Sequence, residues 1–147
     1  MRPLLLLAIL GSAFATAQTP KVIKPDMKNP LRKEVLNALR PSIEKDLKQK
    51  VIFKVESIRV YDGWAFVHVH PLQPNSKPID FRKTKYKENL EAGMFDGSST
   101  YALLRLSNKK WTVKDFVIGP TDVYWSNWMD APYNAPKTLF PPPFGPK

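Results

Sequence analysis

The sequence predicts an α+β domain in which one N-terminal helix packs on a curved antiparallel sheet of four to five strands. Three observations predict it. Apolar residues recur at every fourth position from Leu31 to Leu47, as on one face of a helix. Asp62-Gly63 stands between two alternating runs as a hairpin turn, and Ser107-Asn108-Lys109-Lys110 does the same between two β-favouring runs. Helix first and meander after is the order of cystatin-like and NTF2-like folds, an analogy of architecture that carries no function.

The chain opens with Met1-Arg2, an apolar run and a small-x-small site at Ala15-Thr16-Ala17, which together read as a signal peptide over residues 1–17 cleaved before Gln18. The apolar run from Leu4 to Ala17 is 14 residues, whereas a spanning helix needs about 20. No later stretch approaches that length, so no transmembrane segment is expected. The protein is expected to be exported, periplasmic or secreted. Residues 18–29 are polar, hold Pro20 and Pro25, and read as a flexible leader. A single domain is expected over 30–140, followed by a proline-rich tail, 141–147, extended and mobile.

Asn29-Pro30 marks the helix start, as cap and first-turn proline. Leu31, Val35, Leu39, Ile43 and Leu47 form its apolar stripe, and Pro41 predicts a kink or break after Leu39. In the first hairpin a two-residue loop pairs Tyr61 with Trp64. Ile58, Val60, Ala65, Val67 and Val69 then share one face, and Arg59, Tyr61, Trp64, Phe66, His68 and His70 the other. Val51, Phe53 and Val55 are out of phase with Ile58 and Val60, which predicts a bulge near Glu56-Ser57. The three prolines from Pro71 to Pro78 mark a loop. Ile79 to Arg82 reads as a short edge strand, and residues 83–92 as weakly helical up to Gly93.

In the second hairpin Leu106 faces Trp111. An unbroken register puts Leu104, Leu106, Trp111, Val113 and Val117 on one face, with Tyr101, Leu103, Phe116 and Ile118 on the other. Gly119 to Asp122 is then a turn, and Val123 to Met129 a short aromatic helix.

Composition narrows the function classes. The chain has no cysteine, which excludes a disulfide framework and a thiolate metal site. Its formal charge is +10, and removal of Arg2 with the signal lowers this by one. Residues 21–54 carry ten Lys or Arg against four acids, an asymmetry that favours an anionic partner over a neutral one. The basic residues never cluster beyond pairs, so the plain alternative is a solvated lysine surface, and specific nucleic-acid binding is not expected. No phosphate-binding glycine loop, G-x-S-x-G or H-E-x-x-H occurs, and no cofactor is expected.

Three groups of residues are candidates for chemistry. His68 and His70 share a strand face about 7 Å apart, a spacing that can hold a metal if a third ligand exists; the plainer reading is an exposed polar strand face, and no metal is expected. Asp115, in the unbroken register, lies on an apolar face opposite Ala102, where a buried carboxyl can act as a general acid; otherwise it sits at a bulge or edge bonded to its neighbours. Tyr124, Trp125 and Trp128 form either a stacking platform for rings or an anchor onto the sheet.

Several segments, in order, resemble an uncharacterised family of small exported bacterial proteins. They are Asp62-Gly63-Trp64-Ala65-Phe66, Ala92-Gly93-Met94-Phe95-Asp96, Tyr101 to Arg105, Trp111-Thr112-Val113, Ile118 to Val123, and Trp128 before Ala135-Pro136 and Leu139-Phe140. The resemblance covers about Leu31 to Phe140 and implies no activity, cofactor or site residue. The expected function is therefore an exported, non-catalytic binding or accessory domain of the bacterial envelope, meeting a protein or an anionic envelope polymer. The alternative is a small hydrolase or isomerase with a pocket between helix and sheet and Asp115 as its acid or base.

Overall fold

A computed structural model of the chain describes residues 19–147. The expected signal peptide, residues 1–17, and its cleavage point lie outside the described residues. The helix and the strands follow in the predicted order: α1 (Pro30–Leu47), β1 (Ile52–Tyr61), β2 (Trp64–Leu72), a short α2 (Lys87–Glu91), β3 (Thr100–Ser107) and β4 (Lys110–Ile118). The strands form one open antiparallel sheet in the order β1-β2-β3-β4, and α1 packs on one of its faces. This is the predicted α+β fold with four strands.

The side chain of Asn29 accepts from the N–H of Leu31 at 3.0 Å, with Pro30 in the first turn, where its missing N–H costs nothing. The helix ends where Lys48 adopts a left-handed conformation and its N–H returns to the carbonyl of Glu44. Pro41 does not break α1, which runs uninterrupted from Pro30 to Leu47. Its ring is on the exposed side, while Leu39 and Ile43 on either side are fully buried against the sheet. Tertiary packing of that stripe outweighs the local cost of one lost backbone bond.

The first hairpin turns at Asp62 and Gly63, both at positive φ, and pairs Tyr61 with Trp64 as expected. The bulge falls where the phase change predicted it, between Val55 and Ser57. The second hairpin has the predicted register at its tip, but a second bulge intervenes: Leu104 pairs with Val113 and Leu103 with Asp115, leaving Lys114 extra. Everything beyond it changes face. Phe116, opposite Ala102, and Ile118, opposite Thr100, turn toward α1, whereas Asp115 and Val117 turn away. Ile79 to Arg82 is not an edge strand. Pro78 makes one bridge to Leu72, and Phe81–Lys83 is a 3-10 turn capped by Asp80.

Each face of the sheet has its own core. On the α1 side Val35, Leu39 and Ile43 meet Ala65, Val67, Ala102 and Leu104, all with no exposed surface. On the other side the C-terminal segment lies across the sheet as a strap, burying Trp128, Leu139 and Phe140 against Phe66 and Leu103. The end of the strap is docked and turned rather than extended. Phe144 meets Trp125 edge-on at 5.6 Å, and the carbonyl of Pro146 accepts from Arg59 Nη2 at 2.8 Å. The leader is also tied down. Ile23 exchanges two 2.8 Å backbone bonds with Val60 on the outer edge of β1, and Pro25 is buried.

Candidate functional site

The strap leaves one end of its face of the sheet to polar residues. His68 and His70 alternate along β2 and so point away from α1, with ring centroids 5.4 Å apart. His68 stacks on Tyr101 of the neighbouring strand at 4.3 Å, nearly parallel. Ser98 and Ser99, just before β3, bring a hydroxyl to each ring: Ser99 Oγ lies 2.9 Å from His68 Nε2, and Ser98 Oγ 2.9 Å from His70 Nδ1. The sequence offered no carboxylate for this pair. The β1 bulge supplies one, because Glu56 stands out of the ladder there and its Oε1 reaches within 3.4 Å of His70 Nε2. The same oxygen lies 3.4 Å from Lys54 Nζ, and the bulge sets Lys54, not Val55, opposite His70. Burial holds the pKa of His68 below its ordinary value; His70 adds to this and Glu56 opposes it. Beside His70 and Ser98 opens a hollow of about 390 Å³ lined by Pro71, Leu72, Pro78, Ile79 and Phe81.

As a metal centre the pair is incomplete. Both nitrogens of His70 are engaged by Ser98 and Glu56, and among the described residues no three His, Cys, Asp or Glu side chains lie close enough to hold an ion.

Asp115 occupies the β4 bulge, on the strap side. Its Oδ1 accepts from the N–H of Phe116 at 2.9 Å, and its Oδ2 from Trp128 Nε1 at 2.8 Å and Tyr124 Oη at 3.4 Å. Burial first, and then this carboxylate, push the Tyr124 and Tyr133 hydroxyls above their ordinary pKa. The carboxylate is an acceptor that fastens the strap to the edge strand. It does not face the helix; it lines an open hollow of about 480 Å³ along the edge of β4, shared with Asp46, Phe95 and Tyr124, in which its oxygens are already taken by the strap.

The aromatic group serves the same end. Trp128 is fully buried, and Trp125 lies parallel to Phe140 at 5.7 Å and edge-on to Phe66 at 5.3 Å. Only Tyr124 presents much of its ring to solvent, at 38% exposure, so no open platform is formed.

The lysines concentrate more than sequence spacing suggested. At the C-terminal end of α1 two shallow hollows, of about 440 and 430 Å³, share Lys45 and Lys48 in their walls. Lys50 lines the first and Lys85 the second. Glu44 pairs with Lys50 at 3.1 Å and Asp46 pairs with Lys85, while Lys45 and Lys48 form no ion pair with any described residue. The Val51 N–H, ahead of Lys50, holds the Glu44 carboxyl below its ordinary pKa. Lys85 comes from the loop before α2, 35 residues after Lys50, which is why the chain order hid the cluster.

The chain matches no protein-family model, no curated protein and no solved structure. Among the described residues no helix is long and apolar enough to cross a membrane.

Proposed function

We propose that the chain is an exported binding or accessory domain of the bacterial envelope, and that the lysine-walled end of α1 meets an anionic envelope polymer. The observation that carries this reading is the pair of hollows sharing Lys45 and Lys48, two cations with no carboxylate partner among the described residues. A concave surface with uncompensated positive charge attracts polyanions largely through release of their counterions. The signal peptide of residues 1–17 would deliver the domain to that polymer. The other expectation, a hydrolase or isomerase working between helix and sheet with Asp115, draws no support. That interior is filled by fully buried side chains, and every buried side-chain polar atom among the described residues has a partner.

Retention on a dextran sulfate matrix tests the proposal. Wild type is expected to be held at low ionic strength and released near physiological salt, because about two to four ionic contacts bind weakly and counterions compete them away. Lys45→Glu/Lys48→Glu should elute without delay. Equal retention of that double variant would refute the assignment.

A further inference from the structure

We propose that Ser98, His70 and Glu56 form an acyl-transfer site that hydrolyses short apolar esters. This goes beyond the binding reading, involves none of its lysines, and replaces the expectation of a domain without chemistry. Three separate stretches build the site: the β1 bulge brings Glu56, the pleat of β2 aims His70, and the turn at Gly97-Ser98 delivers the hydroxyl. The contacts run in sequence, a hydrogen bond and then an ion-pair approach. Ser98 Oγ stands 2.9 Å from His70 Nδ1, and His70 Nε2 stands 3.4 Å from Glu56 Oε1. A carboxylate beside Nε2 holds the ring proton there, which leaves the Nδ1 lone pair to accept from the serine hydroxyl. That is the order nucleophile, base, orienting acid, with the two ring nitrogens exchanged relative to the common serine triad. Lys54 shares the Glu56 oxygen.

Two further features suit an ester. The adjoining hollow, with its floor of Pro71, Leu72, Pro78, Ile79 and Phe81, is apolar and takes a short acyl chain. Gly97 sits at φ +68°, with nothing within 4 Å of where a side chain would start, so a carbonyl can approach the turn. Among the described residues the N–H groups of Gly97 and Ser98 donate to no backbone acceptor, which leaves them available to a developing oxyanion.

Ser98 Oγ forms a bond to the ester carbonyl carbon as its proton passes to His70 Nδ1. The adduct collapses, the bond to the alkoxy oxygen breaks, and that oxygen takes the proton from His70 as the alcohol leaves. Water, giving its proton to His70, then attacks the acyl-serine; the carboxylic acid departs and the proton returns to Ser98 Oγ.

The neighbouring pair is a built-in control. Ser99 lies at the same 2.9 Å from His68, but His68 contacts no carboxylate and its ring is covered by Tyr101. Wild-type protein is treated with a fluorophosphonate probe and the modified residue mapped by mass spectrometry, with p-nitrophenyl ester hydrolysis followed from acetate to octanoate. Labelling is expected on Ser98 and not on Ser99. Hydrolysis should vanish in Ser98→Ala, persist in Ser99→Ala, and slow by roughly 100-fold in His70→Gln, the scale of general-base catalysis. Glu56→Gln, at an exposed position that tolerates the change, should slow it while leaving the circular dichroism spectrum intact. No label on wild type, a label elsewhere, or Glu56→Gln at full rate would overturn the site. Ser98→Ala changes no charge and lies away from Lys45 and Lys48, so it leaves polyanion retention unaffected and the two proposals fail separately.

Discussion

His68 sits half-buried between the sheet and Tyr101, where its neutral ring is favoured over the charged one. Its folded pKa is depressed from an ordinary 6.5, and the sign of the consequence follows. Above the ordinary value neither state binds the proton and nothing is lost. As pH falls below it the unfolded chain takes up a proton that the folded chain resists, so stability drops until the folded pKa is also passed. Denaturant unfolding at pH 7.5 and pH 5.0 checks this. Wild type should lose more stability across the interval than His68→Gln, and equal losses would mean that His68 is not desolvated. At this scale the sequence was only partly legible. The shared face of His68 and His70 followed from strand alternation, but their partners did not. Glu56 reaches His70 because it is the extra residue of a bulge, and Ser98 and Ser99 are supplied by a loop 28 and 31 positions further on. Asp115 was placed on the wrong face for a related reason: one residue, Lys114, slips the ladder beneath it. The phase change from Trp111 and Val113 to Phe116 and Ile118 was the signal. It was masked because Phe116, Val117 and Ile118 are consecutive apolar residues, consistent with either register.

Among elements, the strap is what the sequence least revealed. Its prolines suggest an extended tail, whereas it closes the second core through contacts that only tertiary structure supplies. Arg59 of β1 is the clasp. It is 4% exposed, and it donates through Nε to the Leu139 carbonyl at 2.7 Å and through Nη2 to the Pro146 carbonyl at 2.8 Å. Burial lowers its pKa, and no carboxylate among the described residues offsets its charge. Those carbonyls are its compensation. Gly145 lets the tail close over it, since a Cβ there would fall 2.0 Å from the Phe140 carbonyl oxygen. Arg59→Met keeps the aliphatic stem and leaves the Leu139 and Pro146 carbonyls without their donor. It should destabilise by roughly 2–4 kcal/mol, with Trp125 fluorescence shifting to the red as the tail lifts. A change within about 0.5 kcal/mol would show that the tail is held by Phe140 and Phe144 alone. The other elements were better written in the chain. The Asn29-Pro30 start, the stripe to Leu47 and the Asp62-Gly63 turn are local signals, and local physics decided them. Pro41 was the exception, because buried Leu39 and Ile43 hold the helix through it.

For the whole molecule, one sheet between a helix and an aromatic strap leaves two places for function, one at each kind of surface. The polar end of the strap face carries the Ser98–His70–Glu56 line, and the C-terminal end of α1 carries the lysines. The charge asymmetry in the sequence raised the expectation of an anionic partner but not of where it would bind, because Lys85 joins Lys45, Lys48 and Lys50 only through the packing of Tyr86 and Lys85 onto Asp46. The most direct measurement is amine-reactivity footprinting of the lysines, read by mass spectrometry with and without a soluble anionic polymer at low salt. Protection confined to Lys45, Lys48, Lys50 and Lys85, with Lys109 and Lys110 at the tip of the second hairpin unchanged, is the predicted result. Protection spread evenly over all lysines, or centred on the hairpin tip, would contradict the assignment of the helix end as the binding surface.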